Sequence, residues 1–233
     1  MKKLIIAILA LLPMAALAQN NVWEIPDEDT QEQTQKAQKQ EVAKPQEDPK
    51  YLAGSVPEVD GHVVFTLDKD VPGMSADSIY NKVYHIFEAV VKEGRTSGLT
   101  PESRIAAVNK GEHTVAARIN EWLVFTNNFI SLDRTEFTYT LIAQATDQHI
   151  KVTMERISYA YETNRSNGGM KVSADKWITD KYAMNKKGTK LYKGSGKFRK
   201  KTIDRKDNIF GRIEVALGLK AKQVKQSDDD QDD

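Results

Sequence analysis

The chain has 233 residues, with 34 Lys and Arg against 33 Asp and Glu, 8% aromatic residues and no cysteine. So even a charge balance argues against a protein built on attraction to nucleic acid, which calls for a cationic surface. The absence of cysteine excludes disulfide staples, thiolate ligands and thiol nucleophiles, leaving packing alone to hold a fold.

Residues 1–18, "MKKLIIAILALLPMAALA", carry the three parts of a secretory signal. Lys2 and Lys3 form the charged region, Leu4 to Leu12 the apolar one, and Ala16-Leu17-Ala18 the small-x-small cleavage site. The apolar run falls well short of the roughly twenty residues that span a bilayer. No cysteine follows it for lipid attachment, so the expectation is a chain starting at Gln19, periplasmic or secreted, with no transmembrane segment after cleavage. Removing Lys2 and Lys3 leaves 32 basic residues against 33 acidic ones.

Residues 19–57 are rich in Gln, Glu, Asp and Lys and read as a flexible polar tether, since ordering them would cost more entropy than burial returns. Their one apolar spot, around Trp23 and Ile25, is either a docking point or a loose end. The folded domain is placed at residues 58–219. Val63, Phe65 and Leu67 alternate as on a half-buried strand. After the Pro72-Gly73 turn, Ser75 stands as a helix cap and Asp77 puts negative charge at the positive helix end. Ile79, Val83, Phe87 and Val90 then recur at helical spacing as one buried stripe.

An all-β stretch follows. Residues 104–110 form a short strand, and Gly111-Glu112 a turn. Residues 114–126 show Val115, Ala117, Ile119, Leu123 and Phe125 on one side, with Glu121 the odd member. Residues 136–145 place Phe137, Tyr139, Leu141 and Ala143 together, and Asp147-Gln148 turns the chain. In residues 149–161 the pattern slips from Ile150, Val152 and Met154 to Ile157, Tyr159 and Tyr161, which predicts a bulge near Glu155-Arg156. Ser173-Ala174-Asp175 repeats the first helix signal before Trp177, Ile178 and Tyr182. "KGSGK" at 193–197 breaks the chain, a final helix spans about 198–217, and residues 220–233 form a disordered acidic tail. The fold class is α+β: β-α-β4-α, one curved antiparallel five-stranded sheet with helices packed on one face.

The opening "GHVVFTLDKDVPGMSADSIYNKV" and the later "WITDKYAMNKKGTKLYKGSGKFRKKTIDRKDNIF" resemble a family of exported Bacteroidetes proteins, grouped as a domain of unknown function with a TBP-like fold. The similarity covers about residues 61–219. The resemblance implies a domain of the cell envelope and carries no established reaction and no functional residues. TATA-binding protein joins two such halves and wedges Phe side chains into the minor groove. Here a single half, an export signal and near-zero net charge make nucleic acid an unexpected partner.

Catalytic and cofactor motifs are absent from the sequence. His62, His85, His113 and His149 lack the spacing of shared metal ligands, and no serine-hydrolase elbow or zinc-protease motif occurs. The phosphate-loop look of "GTKLYKGSGKF" fails on spacing. No catalytic residue, metal or cofactor is therefore assigned. Glu121, Glu136 and Glu155 flank the sheet, and two of them facing each other would make an acid/base pair, the basis of an alternative reading as an envelope glycan hydrolase.

The basic stretch from Lys181 to Lys206 is the sharper feature, with Asp204 its one acidic residue and Tyr182, Tyr192 and Phe198 interleaved. Within it Lys187, Lys190, Lys193, Lys197, Arg199, Lys200 and Lys201 are the candidate contacts to an anionic envelope partner, such as a lipid head group or an acidic glycan, the alternatives being a solvated surface or one neutralised by the Asp228 to Asp233 tail. Another envelope protein is a second possible partner. Tyr139, Tyr159, Tyr161 and Trp177 are the candidate lining of a groove between sheet and helices, with burial beneath the last helices as their other possible place. Asp77-Ser78-Ile79 fits a short O-glycosylation pattern, although capping explains Ser78 as well. The leading expectation is a non-enzymatic binding or interaction module.

Overall fold

The computed structural model describes residues 47–166 and 168–221. The signal segment, residues 19–46 of the tether with Trp23, and all but the start of the acidic tail lie outside the described residues.

Alternation of apolar and polar residues builds the strands, and 3.6-residue spacing builds the helices that cover them. In chain order these are a small hairpin of β1 (Glu58–Val59) and β2 (His62–Val63), then β3 (Phe65–Asp70) and α1 (Ala76–Arg95). Strands β4 (Arg104–Asn109), β5 (Thr114–Asn127), β6 (Leu132–Thr146), β7 (His149–Tyr161) and β8 (Met170–Ser173) follow, then short α2 (Asp180–Ala183) and long α3 (Lys193–Ala216). The main sheet is antiparallel, in the order β3-β7-β6-β5-β4. β8 is a sixth strand, absent from the sequence reading, and shares the edge of β7 with β3. β3 pairs with residues 149–154 of β7, and β8 with residues 158–161. Between those two partners the register slips opposite Tyr139, and Arg156 takes φ +53°. This is the bulge expected from the phase change, and it lets β7 bend where one edge partner ends and the next begins.

One face of the sheet is covered. Phe137, Tyr139 and Leu141 of β6 and Ile79, Val83, Phe87 and Val90 of α1 are wholly buried, each such side chain contributing about 1.5–3 kcal/mol. Ser75 caps α1, its hydroxyl accepting from Ser78 N at 3.4 Å. At the other end of α1, a Cβ on Gly94 would stand 2.2 Å from Ser103 Oγ. That hydroxyl donates to Asn120 O at 3.0 Å and accepts from Asn120 N at 2.9 Å, so only glycine lets α1 approach the start of β4.

Three sequence expectations change. The second Ser-Ala-Asp does not start a long helix: residues 174–176 make one tight turn without a side-chain cap. Asp175 instead accepts from Val63 N at 2.7 Å and sits 3.2 Å from His62 Nδ1, so a long-range partner takes the carboxylate. Next, α3 begins at Lys193 rather than 198. Gly196 is there for close approach, since a Cβ would meet that of Leu191 at 2.9 Å, and Ser195 Oγ donates to Tyr182 O at 3.0 Å. Finally, residues 47–57, placed in the tether by composition, pack on the domain. Val56 is buried, Gly54 N donates to Asp180 at 2.8 Å, and Lys50 and Tyr51 both reach Asp204.

Candidate functional site

The four aromatic candidates converge on Phe198 and its neighbours rather than lining a groove. Tyr159 is buried, stacked on Phe137 with ring centres 5.6 Å apart, and its hydroxyl lies 2.7 Å from Thr202 Oγ1 of α3. Tyr139 is wholly buried and donates to Glu121 Oε1 at 2.9 Å. Tyr161 and Trp177 are half-buried edge-on to Phe198, at 5.5 and 5.9 Å. Of the two places the sequence allows, an open groove or burial beneath the last helices, the structure has the second: α3 closes over that face, and these rings hold α3 to the sheet. Burial, reinforced by the Glu121 charge, raises the Tyr139 phenol well above its ordinary value, and burial raises Tyr159 as well.

The carboxylates do not form a pair. Glu121 lies opposite Phe137 on the covered face, where Arg205 grips it bidentately, Nε–Oε1 2.7 Å and Nη2–Oε2 2.8 Å. Arg205 also donates to Glu93 at 3.1 Å, and Arg212 closes on Glu93 at 2.8 Å. Glu121 is thus spent on neutralising a half-sunk guanidinium. Glu136 and Glu155 point to the other face, and Glu155 pairs with Thr140, four positions along β6 from Glu136, about 13 Å away. The four histidines stand apart, each beside a carboxylate of its own site: His62 by Asp175, His85 by Glu88, His113 by Asp77, His149 by Asp68 and Asp70. Ser78 is exposed, with its N–H held by Ser75.

The basic stretch divides. Arg199 is wholly buried, and its contact with an external anion is ruled out. Nε donates to Tyr51 O at 2.7 Å, Nη1 to Ile178 O at 2.8 Å and Nη2 to Leu52 O at 2.6 Å, with Asp180 Oδ1 2.7 Å from Nη2. It clamps residues 51–52 and the turn before α2 onto α3. Lys197 is also engaged, 2.6 Å from Asp133 Oδ2 and 3.1 Å from Tyr161 Oη, over the ring of Phe125. Burial works against its charge, yet Asp133 and Tyr161 outweigh that, and its pKa is raised. Lys200 pairs with Glu47. The remaining candidates, Lys187, Lys190, Lys193 and Lys201, are exposed and form no ion pair among the described residues, and the same holds for Lys181 and Lys186.

A small hairpin displays most of these lysines. Met184 and Leu191 bridge, and Asn185 Oδ1 accepts from Thr189 N at 3.0 Å and Lys190 N at 3.2 Å. Met184 and Leu191 bury their side chains with Ala183. Beside it lies a depression of about 600 Å³ lined by Lys181, Lys186, Lys187, Asn185 and Tyr192. A larger hollow of about 850 Å³ between α1 and α3 touches none of the candidate residues. Of the carboxylates that line the depressions beside these lysines, Glu47 is paired with Lys200 and Asp180 with Arg199. Among the described residues, the positive charge that the hairpin presents outward has no ion-pair partner. Sequence reasoning missed the turn between β5 and β6, where Phe129 and Ile130 are 105% and 93% exposed. The only available signal was two large apolar residues inside an otherwise polar turn, "TNNFISLD".

Among the described residues no helix is long and apolar enough to cross a membrane, and no His, Asp and Glu cluster is arranged to hold a metal. Residues 65–160 match the family model described as a domain of unknown function (DUF4468) with TBP-like fold. The chain is 36% identical to a solved DUF4468 family protein from Bacteroides ovatus, with a TM-score of 0.68 over 76% of this chain and 99% of that one. A TBP-like protein from Parabacteroides distasonis is 20% identical, with a TM-score of 0.55 over 70% of this chain and 97% of that one, a likeness of fold. No curated protein matches the chain.

Proposed function

This chain belongs to the DUF4468 family of TBP-like domains, and from that starting point we propose that it is a non-enzymatic binding module of the cell envelope that meets an anionic partner through the lysines before and at the start of α3. One observation carries the reading. Lys181, Lys186, Lys187, Lys190 and Lys193 are all exposed without an ion pair among the described residues, while Asp180 and Glu47 beside them are already engaged. Cations left uncompensated on one surface raise the local concentration of an anionic ligand. The occupied state of Glu121 and the separation of Glu136 from Glu155 support a role without acid/base chemistry. Export to the periplasm is part of the same reading and rests on Lys2, Lys3, the apolar run and Ala16-Leu17-Ala18.

Retention on an immobilised polyanion such as heparin tests it. Lys187→Glu/Lys190→Glu/Lys193→Glu should elute at markedly lower salt than the parent, because each reversal removes one attractive contact and adds a repulsive one. Co-elution of parent and variant removes the reading.

A further inference from the structure

Asn128 fixes the geometry of the β5–β6 turn. Its Oδ1 accepts from Ile130 N at 3.1 Å and Ser131 N at 2.7 Å, and its own N–H donates to Ser131 O at 3.0 Å. The turn therefore closes through its polar residues and aims Phe129 and Ile130 outward, with Leu132 beside them at 55% exposure. Three large apolar side chains in water are unfavourable unless something covers them.

The course of α3 shows where that turn sits relative to the lysines. Phe198 meets Phe125 and Tyr161, Thr202 meets Tyr159, and Arg205 meets Glu121. Each step along α3 moves away from the turn along β5 and β7, so the start of α3 points to the turn's end of the sheet. Lys197 reaches Asp133, which pairs with Thr126 next to the last ladder pair, Asn127 with Leu132. Lys193 lies one helical turn earlier, about 6 Å nearer that end. Lys193, exposed and without an ion pair among the described residues, thus lies toward the same end of the domain as the uncovered apolar turn, and the lysine hairpin joins that end of α3 through Leu191 and Tyr192.

We propose that this end docks on an anionic lipid surface, with Phe129 and Ile130 entering the interface and the lysines against the head groups. The inference rests on the reading that the basic end meets an anionic partner, and names that partner. A soluble glycan or polyphosphate offers no apolar phase for the two side chains. A convex turn suits a fluid interface, which needs no complementary pocket, and an apolar tip flanked by lysines combines the two attractions of peripheral lipid binding.

The test uses the chain from Gln19 onward, sedimented with vesicles of phosphatidylglycerol and phosphatidylcholine, and with phosphatidylcholine alone. The parent should pellet with the anionic vesicles. Phe129→Ser/Ile130→Ser should bind them at least about tenfold more weakly, yet keep parental retention on heparin. Lys187→Glu/Lys190→Glu/Lys193→Glu should lose both. Because the chain has no cysteine, Phe129→Cys gives a single labelling site, and an environment-sensitive dye there should shift to the blue with vesicles but not with heparin. Vesicle binding by the serine variant at parental strength overturns the proposal. So does a parent held by heparin but not by vesicles, an outcome that leaves the broader reading standing; a parent held by neither overturns both. Self-association that depends on Phe129 and Ile130, seen by light scattering in place of vesicle binding, also overturns it.

Discussion

Along α3, Lys197, Arg199, Lys200, Arg205 and Lys206 each have a carboxylate of the domain within reach, whereas from Lys181 to Lys193 the lysines have no ion pair among the described residues. Lys201, on the outer side of α3, is the exception in the first group. The difference follows from burial. A cation taken out of water must find a partner or change its protonation state, so the packed part of α3 holds charges already answered from within. The hairpin before it stays in water and carries no such demand. Positive charge on a packed helix is therefore weak evidence for an external anion, and positive charge on the loop that precedes it is stronger evidence.

Loss of the most deeply buried cation breaks that contrast most severely. Arg199→Ala leaves the carbonyls of Tyr51, Leu52 and Ile178 without their donor and Asp180 without its ion-pair partner, and should cost about 3–5 kcal/mol in denaturant unfolding. Arg199→Lys should recover only part, because an ammonium cannot reproduce the planar fork. A loss below about 1 kcal/mol would show that burial does not set the two groups apart. Glu121→Ala comes next. It strips Arg205 and Tyr139 of an acceptor and should cost about 2–3 kcal/mol. A double-mutant cycle with Arg205→Ala should give a coupling of about 1 kcal/mol or more. The smallest effect belongs to the hairpin and the first residue of α3: Lys187→Glu, Lys190→Glu and Lys193→Glu should each move stability by no more than about 0.5 kcal/mol. A large stability change there would mean that those charges, too, have internal work.

Local periodicity made much of the fold legible. The stripe Ile79, Val83, Phe87 and Val90 and the alternation through Phe137, Tyr139 and Leu141 depend on neighbours a few residues away, and the slip at Arg156 is visible in the same pattern. β8 was not legible, since a single alternation of Met170 and Val172 over four residues is too short to establish a period. The start of α3 was misplaced because a glycine serves equally as a breaker and as a close-contact residue, and only Leu191 in space decides for the second at Gly196. The candidate site was half legible. Composition marked the basic stretch, but the burial of Arg199 depends on carbonyls at Tyr51 and Leu52, far off in sequence. Phe129 and Ile130 passed as ordinary turn residues because isolated apolar side chains in a loop belong to no period.

The clamp on Tyr51 and Leu52 has a mechanical consequence. A pull arriving from the amino-terminal side reaches α3 through Arg199 and Asp204 before it reaches the hairpin of β1 and β2. The first part of the fold to bear the load is thus a long helix seated on aromatic rings. Proteolytic nicking between Leu52 and Glu58 would leave the amino-terminal segment held to α3 by these contacts without its covalent link to β1, and every rung of the main sheet intact.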